Sequence, residues 1–405
     1  MSRRVVVTGL GAVTPLGIGR EVFWSGVLAG RPATGPVQSF DASPYGVDRG
    51  AEVRGFDPAA YLRRQDPAAM GRASQMAAAA ARLALADAGL EDVPQPGRAG
   101  CVMGTTTGEP LEVERFDEAL VARELDQVDR RFVHRYPSPV IPANVAAELG
   151  LSGPTAMIPT ACAAGNYAVA HAYDLVRQGT AEWMLAGGAD AFSRITYSGF
   201  ARLGAIAPDL CRPFDRNRRG MIPGEGAGLL VLEPLEAARA RGARIYAEIV
   251  GYGLSCDAFH MTGAHPEGEG AARAMEQALR TSGLGPAAVS YVSAHGTGTP
   301  TNDRVEVVAL VRVFAERAPA VPVSSIKSMI GHTMGAASAL EAIVCCLAVG
   351  SDVVPPTANF EEADPGCNLD FVPNRAREHR VEVAMNNAYA FGGNNASVLF
   401  AKVAP

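Results

Sequence analysis

The 405-residue sequence predicts an α/β protein built from two similar halves. Three observations carry that reading. Two distant stretches, residues 156–191 and 321–355, repeat one unit in which a short apolar strand turns into a helix of small residues. Each half then closes on a strand of small and apolar residues, 226–231 in the first and 395–400 in the second. Strands alternate with helices along the whole chain, which is the pattern of α/β layers.

The elements follow in order. Val5-Val6-Val7 reads as a buried strand that leads through Thr8-Gly9-Leu10-Gly11 into a Gly-rich loop and a turn at Pro15. A dinucleotide fingerprint would need a third glycine where Thr14 stands, and Pro15 interrupts the helix start, so this loop does not carry that motif. In the first copy, Ala156-Met157-Ile158 enters a turn at Pro159-Thr160-Ala161-Cys162, followed by a helix at 163–177 and a strand at 183–186. In the second, Val323-Ser324-Ser325-Ile326 leads to His332, a helix at 335–347 and the extended Val353-Val354-Pro355. The division between halves falls near Gly251, giving 1–250 with the cysteine and 251–405 with the histidines.

Composition bounds the function. A net charge of -6 gives no support to nucleic-acid binding. The seven cysteines are scattered without the CxxC spacing of a zinc site or the density of a disulfide scaffold, which fits a reducing, cytoplasmic setting. No stretch of about 20 uninterrupted apolar residues suggests a membrane span, and the start Met-Ser-Arg-Arg does not lead into a secretory segment. A soluble chain with no membrane partner is expected.

Cys162 opens a helix containing Ala163, Ala164, Gly165, Ala168, Ala170 and Ala172, with no charge before Asp174. Such a helix belongs in the centre of the molecule. Its N-terminal N–H groups and dipole favour a thiolate, so the expectation is a Cys162 pKa lowered from about 8.5 toward neutrality. Cys345 and Cys346, inside the second small-residue helix, read as inert core. His295 lies on the Gly/Thr loop 294–300 after an apolar strand, where α/β proteins place ligands. His332 lies at a third such junction. One cysteine and two histidines could suggest a metal, yet no short ligand pair such as HxxxH anchors one, and none is assigned.

Taken together, Thr160-Ala161-Cys162-Ala163-Ala164-Gly165, Ala294-His295-Gly296-Thr297-Gly298-Thr299-Pro300, Lys327-Ser328-Met329-Ile330-Gly331-His332 and Phe391-Gly392-Gly393-Asn394-Asn395 resemble the β-ketoacyl-acyl carrier protein synthases over nearly the whole chain. The Cys-His-His set is similar to the elongating branch. The resemblance implies a thiolase-like duplicated fold in five layers, α-β-α-β-α. It implies a decarboxylative Claisen condensation of an acyl group on Cys162 with a malonyl thioester, the enolate being stabilised by His295 and His332. It places the oxyanion hole at the backbone N–H groups of Cys162 and Phe391 and pairs Lys327 with Glu306. Thr297 and Thr299 would bind a phosphopantetheine arm carried by the acyl carrier protein, the enzyme itself needing no cofactor, and Phe391 would gate the acyl channel. A carrier being acidic, Arg63, Arg64 and Arg72 are the expected docking residues.

Two departures bear on the substrate. The polar run Thr105-Thr106-Thr107-Gly108-Glu109-Pro110 stands where fatty-acid synthases usually have apolar residues near the acyl pocket, so Thr107 and Glu109 are expected to line it and to favour an unsaturated or functionalised chain, such as a polyene. The runs 390–395 and 215–220 look like synthases of specialised pathways, some of which pair with a cysteine-less chain-length partner. Fatty-acid and polyketide elongation, and a homodimer or a heterodimer, therefore all stay open. So do two further readings, an acyltransferase on the same fold that skips decarboxylation and a silent chain-length subunit. The paired histidines argue against the first and Cys162 against the second.

Overall fold

The computed structural model describes residues 3–404. Strand β1 (Val5–Thr14), helix α1 (Arg72–Ala88), β2 (Ala99–Gly104), α2 (Val140–Leu149), β3 (Thr155–Ile158), α3 (Ala164–Arg177), β4 (Trp183–Asp190) and β5 (Gly226–Pro234) form the first half. The second half runs through β6 (Ala247–Cys256), α4 (Glu269–Ser282), β7 (Tyr291–Ser293), α5 (Pro300–Phe314), β8 (Val323–Ser324), α6 (Ala337–Ser351), β9 (Val383–Tyr389) and β10 (Asn394–Ala401).

Strand order exposes the duplication. The path β3-β2-β4-β5-β1 continues into β6-β10-β9-β7-β8, its mirror order, so each strand of the first half has a counterpart in the second. In both halves the inner strand of a parallel trio (β2 or β7) is followed by two antiparallel pairings. The halves join where β1 meets β6 antiparallel, Val5 opposite Ile249 and Val7 opposite Ala247. Helices α1 and α2 cover one outer face, α4 and α5 the other, and α3 and α6 lie between the half-sheets. These are the five layers that the resemblance implies. Small residues make the middle layer possible, because a helix buried on every side must let neighbouring backbones approach. Every residue of α6 from Ala337 to Val349 is buried. The stretch Met334–Ser351 has a mean hydropathy of 1.7 over 18 residues, apolar enough by composition alone to cross a membrane, but 89% of it is buried inside the protein as core.

Two expectations are corrected. The Gly-rich segment after Val7 is no loop: β1 continues to Thr14, and the glycines admit α1. A Cβ on Gly9 would lie 2.2 Å from the Ala84 carbonyl oxygen, and one on Gly11 1.9 Å from that of Ala80. The counterpart of β4 is not Val353-Val354, which pairs with Arg377–Glu378 in a separate two-stranded sheet; it is β9, about thirty residues later, because the second half carries an insertion between helix and strand. Gly251 lies inside β6, and we propose that the halves divide in the loop just before that strand.

The approach of α1 to β1 gives a direct test. Replacing Gly11 by alanine is expected to cost about 1–3 kcal/mol by forcing α1 off the sheet, measured as a lowered midpoint in denaturant unfolding with an unchanged slope.

Candidate active site

The position of Cys162 is built from backbone strain and a helix end. Ala161 holds φ at 49°, unusual for a residue with a side chain, and Cys162 follows in a tight turn (Ala161–Ala163) that runs straight into α3. In the second half, the Met334–Ala336 turn runs likewise into α6, with Met334 at φ 54° and His332 just before it. The two central helices thus bring their first turns, and one reactive side chain each, to the same place.

His295 leaves the end of β7 on a loop held from below. Glu306 of α5 accepts the backbone N–H of His295 at 2.8 Å and that of Gly296 at 2.7 Å, and the Ser325 hydroxyl donates to the Gly296 carbonyl at 2.7 Å. Burial pushes the Glu306 carboxyl up to about 8, against those two amide donors. Lys327 is wholly buried; its Nζ is ion-paired with the Glu341 carboxylate and lies 3.5 Å from His295 Nδ1.

These contacts fix both imidazoles. An ammonium has only protons to give, so Nδ1 of His295 is an acceptor and the ring proton sits on Nε2. The backbone N–H of Met334 donates to Nδ1 of His332 at 3.2 Å, with the same result. Burial, followed by the charge on Lys327, holds both rings well below the usual histidine range, so both are neutral. Their planes are nearly perpendicular, centroids 5.5 Å apart. The arrangement therefore offers two uncharged N–H donors side by side, suited to an oxygen that gains negative charge during reaction.

Cys162, His295 and His332 line one cavity of about 120 Å³, together with Thr297, Thr299 and Phe391. Phe391, 40% exposed, packs against Phe200 at the rim, 5.9 Å between centroids. Thr297 and Thr299 share a hydrogen bond of 2.8 Å. Among the described residues no group of three or more His, Cys, Asp or Glu is placed to hold a metal.

Several expected roles change. Burial pushes the Cys162 thiol up to about 12, with Lys327 only partly opposing, so the expected shift toward neutrality gives way to desolvation. Lys327 pairs with Glu341 rather than Glu306, which is spent on the His295 loop. Thr107 and Glu109 are absent from the cavity wall and have other partners. The Thr107 hydroxyl and N–H both donate to Asp190. The Glu109 carboxylate accepts the N–H groups of Ala73 and Ser74, satisfying the start of α1. The hydroxyls of Thr105 and Thr107 are thus satisfied without a ligand, whereas that of Thr106, between them, is buried without a partner. Arg72 is half-buried and bound by Glu225 at 2.7 and 2.8 Å, whereas Arg63 and Arg64 are exposed, Arg63 pairing with Glu91 at 3.2 Å. Glu341 escaped sequence reasoning; its signal was a lone acidic residue in an otherwise apolar helix, which needs a buried cation.

Comparisons with known proteins agree with this geometry. The models described as "Beta-ketoacyl synthase, N-terminal domain" and "Beta-ketoacyl synthase, C-terminal domain" match residues 2–238 and 246–361. The chain is 41% identical to a 3-oxoacyl-[acyl-carrier-protein] synthase 2 of Synechocystis, covering 99% of this chain and 98% of that one. It is similar to the solved ishigamide ketosynthase/chain length factor, with a TM-score of 0.96, 44% identity and 100% of both chains covered. It is also similar to a type II PKS ketosynthase solved in complex with its acyl-carrier protein and bound to the hexaketide, with a TM-score of 0.92, 31% identity and full coverage of both chains.

A thiol held at about 12 should react slowly near neutrality. Alkylation of Cys162 by iodoacetamide, followed by peptide mass, is expected to be slow at about pH 8, where a free cysteine is already partly thiolate, and to keep rising beyond about pH 9. A rate that levels off below about pH 8 would restore the lowered-pKa reading.

Proposed function

The chain belongs to the β-ketoacyl synthase family and is a condensing acyltransferase; we propose that Cys162 is its nucleophile, with His295 and His332 as the donors that drive decarboxylation. The observation that carries this assignment is the pair of neutral rings with both Nδ1 atoms engaged. They share one cavity with a buried cysteine.

In the first half-reaction, Cys162 Sγ attacks the acyl thioester of a carrier protein. The new C–S bond forms as the carrier's C–S bond breaks, and the cysteine proton leaves with the departing thiol. The N–H groups of Cys162 and Phe391 hold the oxyanion between, each such donor being worth about 10² to 10³ in rate. A malonyl thioester then enters. Its bond to the terminal carboxylate breaks, carbon dioxide departs, and the electron pair forms an enolate whose oxygen accepts from the two Nε2–H groups. The enolate carbon attacks the acyl thioester on Cys162, a C–C bond forms, and the thiolate is released and reprotonated. Loss of carbon dioxide generates the carbanion, so no strong base is needed. Lys327 holds His295 and keeps both rings neutral, while Thr297 and Thr299 receive the amides of the carrier's phosphopantetheine arm. Phe391, half-exposed at the rim of the cavity and packed on Phe200, is the gate that moves when an acyl chain enters.

The sheet edges support a two-fold partner of the same fold. The edge strand β8 is covered by the insertion, the Val323 N–H donating to the Asp370 carbonyl at 2.8 Å. Its counterpart β3 is left open, with Thr155 exposed and Ala156, Met157 and Ile158 half-buried. An open edge of this kind pairs with another chain, either a second copy or a chain-length-factor-like subunit. An acyltransferase that skips decarboxylation would have no use for two enolate donors, which argues against that alternative.

The reading is tested by mixing the protein with acyl and malonyl carrier proteins and following intact masses. Condensation predicts acyl-Cys162, loss of carbon dioxide and a β-ketoacyl carrier; acyl transfer without carbon dioxide release would overturn it. His332→Ala is expected to spare loading of Cys162 and to slow carbon dioxide release by about 10² to 10³, the worth of one such donor. Normal release by that variant would remove His332 from the role. Reversing charge at Arg63 and Arg64 is expected to raise KM for carrier-borne substrate about tenfold at low salt, leaving loading from a small thioester unchanged. Equal effects on both substrates would exclude docking there.

A further inference from the structure

Asp190 ends β4, is wholly buried, and is used by no step described above. Five donors converge on its carboxylate. Oδ1 accepts the Thr105 hydroxyl at 2.9 Å and the Thr107 N–H and hydroxyl at 2.9 and 2.8 Å; Oδ2 accepts the Thr106 N–H at 2.8 Å and the Gly335 N–H at 2.7 Å. Four of these lie in its own half. The fifth crosses to the other half and ends in the turn that follows His332.

That turn is under strain at the residue that matters. Met334, at φ 54°, is the donor to His332 Nδ1, and a side chain in that region stays there only when its surroundings hold it. Gly335 is the next residue, and a Cβ on it would meet Asp190 Oδ2 and the Thr105 backbone, each at 2.7 Å, so the turn is pressed against the Asp190 cluster. The chain of contacts is short: Asp190 to Gly335 N–H, Gly335 to Met334, Met334 N–H to His332 Nδ1. We propose that Asp190 is a positioning residue for decarboxylation, holding Met334 in the conformation that keeps the His332 ring oriented with its proton on Nε2. It touches no reactant. The inference rests on the reading of His332 as an enolate donor.

The consequence is a split between half-reactions. Loading of Cys162 needs no proton from His332, whereas decarboxylation does, and a misplacement of about 1 Å at such a donor can cost on the order of 10²-fold. Asp190→Asn keeps the shape but turns an amide NH2 toward one of the N–H donors. The expected result is that D190N still loads Cys162 from an acyl thioester while carbon dioxide release from the malonyl thioester falls about 10²-fold relative to loading. The 15N signals of the His332 ring are also expected to move away from a pure Nε2–H pattern. An unchanged ratio of release to loading, or unchanged ring signals, overturns the proposal. If D190N does not load Cys162, D190E keeps the charge and displaces the acceptor by one methylene. A lowered ratio with shifted ring signals in D190E then supports the proposal, and no change in either one overturns it. A wild-type protein that loads Cys162 but releases no carbon dioxide would instead overturn the ketosynthase reading on which the inference stands.

Discussion

The buried ion pair between Lys327 and Glu341 is the constraint around which this site is arranged. Taking two charges out of water costs several kcal/mol per ion, and only a close partner offsets it. Glu341 is anchored in α6, the most enclosed helix of the molecule, and Lys327 lies on the turn just before Gly331 and His332. The pair therefore ties the middle layer to the loop that carries the second histidine. Its positive end faces both imidazoles, and that charge together with burial keeps them neutral. A donor without charge can strengthen its hydrogen bond as an enolate forms, and it does not bind the malonyl carboxylate so tightly that the substrate is held back from reacting.

Duplication explains why the reactive groups meet. The two central helices are related by the symmetry of the fold, and each begins in a strained turn at the same level between the half-sheets. One half contributes Cys162 there and the other His332. The third group, His295, comes from the end of β7 and is held through its backbone by Glu306. Asymmetry between the halves is equally informative. The insertion of the second half closes one sheet edge and leaves its counterpart in the first half open.

Much of this is legible in the sequence, because the features concerned are local. The strand-to-helix junctions at Cys162 and His332, the small-residue central helices and the closing strands all appear as short patterns. What escapes a reading of the sequence depends on distant packing. Gly9 and Gly11 look like a loop until α1 is laid across them. The second-half repeat is interrupted by residues that belong to another small sheet, so Val353-Val354 takes the place of β9 in the sequence pattern. Two acidic residues, Glu306 and Glu341, each lie on a helix near the histidine loops, and only the fold shows that one binds backbone and the other the Lys327 cation. Thr107 and Glu109 look like pocket lining because their polar partners, Asp190 and the start of α1, lie far away in sequence. The helix dipole alone argues for a lowered Cys162 pKa, whereas the depth of burial, which no local pattern reports, has the larger effect.

Both histidines are neutral donors through Nε2. Neutron diffraction from the protein at neutral pH measures it most directly, since the ring hydrogens of His295 and His332 become visible. A single hydrogen is expected on Nε2 of each ring and none on either Nδ1. A hydrogen on Nδ1 of either ring, or on both nitrogens, would contradict it.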